Sequence, residues 1–146
     1  MNRDIPEEVQ HQLQEQWDHL TLADDFMFCK IMQDKELCAE MIRRILPDID
    51  IGEIKFVNTQ KNIREGIDTR GIRLDVFSKF NTGKVCDVEI QTANKYLSKR
   101  SRAYHMLISY DALSKDNMKS HYYNDLHDAF VIFICTFDPF ALGRHI

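Results

Sequence analysis

The sequence lacks both a long hydrophobic run and an N-terminal targeting segment. Its longest apolar stretch, residues 129–135, is far shorter than the ~20 residues that a bilayer-spanning helix needs. The N-terminus, MNRDIPEEVQ, contains no apolar signal region. Internal repeats and low-complexity tracts are absent as well. These absences predict a cytoplasmic protein with no membrane partner.

The cysteines lack the close spacing that is typical of zinc sites. The chain contains four of them, Cys29, Cys38, Cys86 and Cys135, and none forms a CxxC pair. Two fall in a predicted helix and two in predicted strands. We therefore expect buried thiols in a reducing cytosol rather than disulfides or metal ligands.

Positive charge is not in excess. The chain carries 19 Lys and Arg residues against 23 Asp and Glu residues, a formal net charge of −4 at pH 7. Nucleic-acid binding would therefore depend on a local basic patch. A length of 146 residues and an apolar content of 44% suit one domain with a hydrophobic core.

Residues 71–92, GIRLDVFSKFNTGKVCDVEIQT, predict a β-hairpin around which the other elements are arranged. Asn81-Thr82-Gly83 has the composition of a turn, and Gly83 tolerates a positive φ. If these residues form the loop, Phe80 faces Lys84, and the numbers of all facing residues sum to 164. Because strand side chains alternate, one face is then mostly apolar and predicts a core. It carries Leu74, Val76, Ser78, Cys86, Val88 and Ile90.

The opposite face of this hairpin is rich in acids. In the same register Asp75 faces Glu89, Phe77 faces Asp87, and Arg73 faces Gln91. Facing carboxylates repel, and a bound divalent cation such as Mg²⁺ removes that repulsion. A solvated polar face with ordinary acids is the alternative. The hairpin alone leaves both interpretations open.

The remaining elements follow from apolar periodicity and helix-end signals. The first 20 residues predict a short helix that begins near Pro6, and Thr21-x-x-Asp24 predicts the start of a helix to about Leu46. A short strand over 53–57, a loop or irregular strand over 58–70, a helix over 95–113 and a fully buried central strand over 129–137 complete the order. His121 and His127 lie in a polar segment and are expected to be exposed loop residues.

The helix over 95–113 begins with a cluster of cations. Lys95, Lys99, Arg100 and Arg102 precede its first acid, Asp111, and Tyr96, Arg100 and Tyr104 recur on one face. Cations near a helix N-terminus oppose the helix dipole, so a negatively charged partner is expected. That partner is either nucleic-acid phosphate or the acids of the hairpin.

Four blocks in this order carry a family resemblance. Asp75 with Glu89-Ile90-Gln91 resembles the core of a PD-(D/E)XK nuclease in the variant with Gln in place of the usual Lys. Three further blocks extend it, over residues 22–28, 99–104 and 131–140. From about residue 20 to its end, the chain resembles the PD-(D/E)XK nuclease family transposases, relatives of the recombination-promoting (Rpn) nucleases.

The resemblance implies a restriction-endonuclease-like α/β core, a mixed four-stranded sheet flanked by helices. Residues 1–20 would be an N-terminal helical extension, and residues 21–146 the nuclease-like domain, truncated at its C-terminus because family members usually continue further. The implied activity is Mg²⁺-dependent hydrolysis of DNA phosphodiesters in transposition or recombination, with Mn²⁺ able to substitute. A homodimer is compatible with the sequence.

The resemblance also implies roles for individual residues. Asp75, Glu89 and Gln91 would be catalytic, and Asp75, Glu89 and the carbonyl of Ile90 would bind the metal. An acid at Asp25, in a helix first turn, would be accessory to the metal site or would only compensate the helix dipole. Lys99, Arg100, Arg102 and Tyr104 would bind DNA. Two alternatives remain: a weak or inactive nuclease fold that acts as a binding module, and an unrelated α/β domain whose acids are only surface residues.

Overall fold

A computed structural model of the chain describes residues 6–63, 72–115 and 126–143, without the side chains of residues 112–115. Within these ranges it contains four helices and one mixed four-stranded sheet. The helices are α1 (Glu7–Asp18), α2 (Asp25–Ile31), α3 (Lys35–Ile45) and α4 (Leu97–Lys115). The strands are β1 (Ile54–Ile63), β2 (Ile72–Phe80), β3 (Val85–Gln91) and β4 (Ala129–Cys135). The predicted α/β architecture is confirmed.

The sheet has the order β1-β2-β3-β4. The pairs β1–β2 and β2–β3 are antiparallel, and β4 runs parallel to β3. Helix α4 lies between β3 and β4 in the chain, as a parallel connection requires. The expectation that β4 is a fully buried central strand is wrong. In the described part of the sheet β4 is an edge strand, and its residues are half-buried. The prediction failed because an apolar run does not by itself distinguish a central strand from an edge strand.

Helices cover both faces of the sheet. Phe28 of α2 and Ile42 of α3 pack with Val76 and Val88 on one face. Tyr104 and Ile108 of α4 pack on the other face, in a cluster that includes Leu74 and Phe77. The acidic face of the hairpin is therefore buried around Asp87 and Glu89. Asp87 is 0% exposed and Glu89 1% exposed, because both lie in the sheet that α4 covers.

The single helix expected over residues 21–46 is two helices. Helix α2 ends at Ile31, and Asp34 begins α3 by accepting the backbone N–H groups of Glu36 and Leu37 at 2.9 and 3.1 Å. An N-cap aspartate satisfies N–H groups that have no partner within the helix, and so favours a new helix start. Asp24 precedes α2, but its carboxylate accepts no N–H group of that helix. It accepts the backbone N–H of Thr21, which lies before it in the chain.

The hairpin register is confirmed. Val76 pairs with Val88, Phe77 with Asp87 and Ser78 with Cys86, and Gly83 in the turn has φ 86°. Strand β1 is longer than the predicted strand over 53–57, because residues 58–63 also pair with β2. Residues 58–63 are therefore a strand extension, which was one of the two structures expected for this segment. The rest of that predicted loop, from residue 64, lies outside the described residues.

The peripheral features agree in part with the sequence analysis. Helix α1 is present, but it buries no residue, and its Trp17 ring meets Phe26 edge-on at 6.1 Å. All four cysteines are free thiols, and three are buried. His127 is exposed, whereas His121 lies outside the described residues. In the part of the chain that the structure describes, no helix has the length and apolar character needed to cross a membrane.

Candidate active site

The candidate site lies where β2 and β3 separate. Their paired residues run from Lys79 and Val85 to Val76 and Val88. Beyond that point, side chains replace the backbone pairing. The Asp75 N–H donates to Glu89 Oε1 at 2.9 Å, and the Ile90 N–H donates to Asp75 Oδ2 at 3.3 Å. Each candidate acid is thus held by a backbone N–H of the neighbouring strand.

The alternation of β2 breaks at Asp75. Leu74 packs on the α4 side, whereas Val76 packs against α2 and α3, so the expectation that both share one face is wrong. On β1, Thr59 pairs with Val76 and Lys61 with Leu74. The residue between them, Gln60, has φ 57°, in the left-handed region that side chains other than glycine rarely adopt. This local distortion, which period-2 alternation cannot predict, lies beside Asp75.

A cavity of about 460 Å³ brings together residues from α2, β2, β3 and α4. Seven of the predicted site residues line it: Asp25, Asp75, Glu89, Ile90, Gln91, Arg100 and Tyr104. Ile72 and Arg73 complete the lining. Side chains that are distant in sequence therefore meet around one opening, and most of them are polar.

Asp25 is connected to the site through two contacts. Its Oδ2 lies 3.3 Å from Arg73 Nη2, and its Oδ1 accepts from the Cys29 thiol at 3.6 Å. The same thiol lies 3.5 Å from the Asp75 carbonyl. Burial, followed by the charges of Asp25 and Asp75, raises the pKa of Cys29 to about 12, so the thiol stays protonated and donates. Burial and the nearby Asp25 charge also raise the pKa of Asp75.

Glu89 and Asp87 are buried acids on the same strand. Burial is the main cause that raises the pKa of Glu89, and it outweighs the Asp75 N–H and Arg100, which favour the carboxylate. The Asp87 carboxyl group is fully buried, and neither of its oxygens has a hydrogen-bond partner among the described residues. Burial and the Glu89 charge raise its pKa, and Lys61 offsets this only in part. Asp87 was expected among the acids of the hairpin, but periodicity did not reveal that it would be buried.

Arg100 is part of this cluster. Its Nη2 donates to Glu89 Oε2 at 3.1 Å and to the Tyr104 hydroxyl at 2.8 Å, and its Nη1 donates to Gln91 Oε1. Gln91 in turn donates from Nε2 to the Ile90 carbonyl at 2.8 Å. Of the two partners that the sequence left open for the basic helix, Arg100 contacts the acids of the hairpin.

The other two α4 cations that were predicted to bind DNA, Lys99 and Arg102, lie elsewhere. Lys99 is exposed, with its ammonium 5.9 Å from the Tyr96 ring centroid. Arg102 lines a different cavity, between α4 and β4, together with His105 and Phe130. The structure does not bring Arg102 to the acidic cluster, because residues two apart on a helix point about 200° apart.

A buried ion pair, which the sequence analysis missed, connects β1 to α4. Lys61 Nζ lies 2.5 Å from Asp111 Oδ2 and 3.5 Å from the centroid of the Phe77 ring. Both side chains are largely buried, at 9% and 13% exposure. No local signal identified Lys61, which lay in a predicted loop or irregular strand. The pair holds α4 against the sheet next to the candidate acids.

The donor set fits a hard divalent cation. Among the described residues, no group of three or more His, Cys, Asp or Glu side chains is placed to hold a metal ion. Asp75 and Glu89 nevertheless line the same cavity. Mg²⁺ usually takes one or two protein carboxylates and completes its shell with water and phosphate oxygens. Two carboxylates beside an open, polar cavity match that requirement.

The comparisons with known proteins agree with this geometry. The sequence model of the family described as PD-(D/E)XK nuclease family transposase matches residues 23–142. The match spans α2 to β4, and α1 precedes it. No curated protein and no solved structure matches the chain significantly. PD-(D/E)XK nucleases generally use divalent metal ions.

Proposed function

Because the chain belongs to the PD-(D/E)XK nuclease family transposases, we propose that it hydrolyses DNA phosphodiester bonds in a metal-dependent reaction associated with transposition or recombination. One observation carries this proposal. Asp75 and Glu89 line one cavity, and a backbone N–H of the neighbouring strand orients each carboxylate. A preorganised pair of carboxylates is what a metal-dependent phosphodiesterase requires.

Asp75, Glu89 and the Ile90 carbonyl would hold Mg²⁺, or Mn²⁺ in its place. A bound metal of this kind polarises the phosphate and lowers the pKa of its water. Asp25 would act as an accessory acid, since its carboxylate lines the same cavity and lies 3.3 Å from Arg73 at the rim. The DNA would enter along α4, where Arg100 and Tyr104 face the cavity.

The exposed cations of α4 would contact the DNA backbone away from the scissile bond. If so, Lys99→Ala and Arg102→Ala should each lower the salt dependence of DNA binding, with a decrease of about one in the slope of log K against log [salt]. The measurement is a fluorescence titration of labelled duplex DNA at several salt concentrations, in Ca²⁺ to avoid cleavage. Arg44→Ala is the matched control, because Arg44 is an exposed cation on α3 that pairs with Glu40. Unchanged slopes in both α4 variants would remove these two residues from the DNA interface.

The activity itself is tested by incubating the protein with supercoiled plasmid and with linear duplex DNA. We expect cleavage with Mg²⁺ or Mn²⁺ and none with EDTA. Cleavage that persists in EDTA would exclude the proposed mechanism. A lack of cleavage in both metals, while DNA binding is retained, would select the second candidate function.

That second candidate is a nuclease fold that binds DNA or another partner with weak or no catalysis. One observation favours it. The Glu89 carboxylate already accepts hydrogen bonds from the Asp75 N–H and from Arg100, so a metal must compete with these donors. The net charge of −4 also opposes tight DNA binding. A Tm that rises with Mg²⁺ would support a functional metal site, and no shift would support the inactive module.

A further inference from the structure

We infer that Arg100 contacts the scissile phosphate and stabilises the negative charge that develops there, and that Gln91 and Tyr104 are positioning residues that hold its guanidinium. This inference rests on the proposed function and assigns a different role to Gln91 within it. Three side chains from β3 and α4 form the hydrogen-bond arrangement on which it rests.

The Gln91 amide is committed at both ends. Its Nε2 donates to the Ile90 carbonyl, and its Oε1 accepts from Arg100. The side chain is also buried, at 8% exposure. These two contacts fix the orientation of the amide, and Nε2 keeps one further N–H. Because rotating the amide toward a phosphate would break both contacts, the role of Gln91 in this arrangement is to orient the Arg100 guanidinium.

Arg100 is held from several sides but remains accessible. Besides Gln91, it contacts Glu89 Oε2 and the Tyr104 hydroxyl, and its guanidinium carbon lies 5.1 and 5.6 Å from the ring centroids of Tyr104 and Phe133. Its side chain is nevertheless 31% exposed and lines the cavity. The planar guanidinium carries more N–H groups than these contacts use, and it suits a phosphate geometrically.

The other cation that lines the cavity is a weaker candidate. Arg73 pairs with Asp25 at the rim, and its side chain is 55% exposed, so its charge is better screened by water. Arg100 instead touches Glu89, which is one of the two candidate metal ligands, and is fixed by neighbours on both sides. Preorganised charge in a water-poor position stabilises a developing negative charge far better than a mobile surface cation does.

The test is a double-mutant cycle between positions 91 and 100, measured by steady-state cleavage of duplex DNA with Mg²⁺. Arg100→Ala should lower kcat about 100-fold with little change in KM, which is the usual effect of removing one preorganised donor. Arg100→Lys should retain roughly a tenth of the parental kcat, since the charge stays but the fork geometry is lost. Comparable thermal melts of both variants confirm that they are folded.

The decisive variant is Gln91→Lys, because its expected effect changes sign with the background. In the parent, a second cation against Arg100 repels it, so both activity and Tm should fall. In Arg100→Ala, the same substitution restores a positive charge beside Glu89, so kcat should rise at least about tenfold and Tm should increase. A merely structural role for Gln91 predicts that the substitution is harmful in both backgrounds.

The possible outcomes distinguish a failure of the role inferred for Arg100 from a failure of the proposed function. A parent that cleaves DNA, combined with a cycle that shows no change of sign, overturns the role of Arg100 and leaves the proposed function intact. An Arg100→Ala variant that raises KM and keeps kcat makes Arg100 a substrate-binding residue, and also overturns the inference. A parent that cleaves no DNA overturns the proposed function and the role of Arg100 with it.

Discussion

Asp75→Asn is expected to lower DNA cleavage by at least about 1,000-fold. Asn keeps the shape of the side chain and an oxygen that can accept the Ile90 N–H, so the hairpin should stay intact. It removes the negative charge that a divalent cation needs. Loss of metal-derived stabilisation of the transition state is worth several kcal/mol, and each 1.4 kcal/mol corresponds to about a factor of ten in rate.

The same variant should lose its stabilisation by metal. A ligand at about 100 times its Kd stabilises a folded protein by about 3 kcal/mol, so the parent should melt at a higher temperature in Mg²⁺ than in EDTA. Asp75→Asn should melt at the same temperature in both. Asp18→Asn serves as the matched control, because Asp18 lies on α1, before the part of the chain that matches the family. An Asp75→Asn protein with parental cleavage and a parental metal response would end the assignment of Asp75 as a ligand.

Asp87→Asn is expected to stabilise the metal-free protein at neutral pH. Asp87 is fully buried, and neither of its oxygens has a hydrogen-bond partner among the described residues. Burial and the negative charge of Glu89 raise its pKa to about 9. Its ionised form is therefore disfavoured in the folded state, whereas an unfolded chain ionises it with a pKa of about 3.9. A neutral amide of similar shape removes this conflict.

The sign of the pH dependence follows from those two pKa values. Below about pH 4 the acid is protonated in both states and makes no difference to stability. As the pH rises toward 9, only the unfolded state releases the proton, so Asp87 progressively lowers the free energy of unfolding. The gain from Asp87→Asn should thus be near zero at pH 4 and up to about 4 kcal/mol at pH 7, because each pH unit contributes about 1.4 kcal/mol.

Urea unfolding of the parent and the variant in EDTA, at several pH values between 4 and 8, measures this difference. Asp128→Asn is the control, since Asp128 is exposed just before β4 and its replacement should change stability little. If Asp87→Asn instead destabilises the protein at pH 7, then Asp87 is ionised in the folded state and is held by the nearby positive charge of Lys61.

The sequence alone determined the local features of the site. Alternation and the Asn81-Thr82-Gly83 turn set the register of the hairpin, because a turn length and a buried face together allow only one pairing. The same register predicted that Asp75 and Glu89 would be neighbours. The four motif blocks predicted the family, and residues 23–142 match it. These features depend on residues that are close in sequence or paired across one short loop.

The tertiary structure decided which side chains share the cavity and which are buried. The break in alternation at Asp75 arises between β1 and β2, where Gln60 takes a positive φ. Arg100 meets Gln91 and Glu89 only because α4 packs over β3, and Lys61 meets Asp111 for the same reason. Periodicity assigns a residue to a face of its own element, but it does not say which element will cover that face. The burial of Asp87, and the role that we infer for Arg100, follow from that packing.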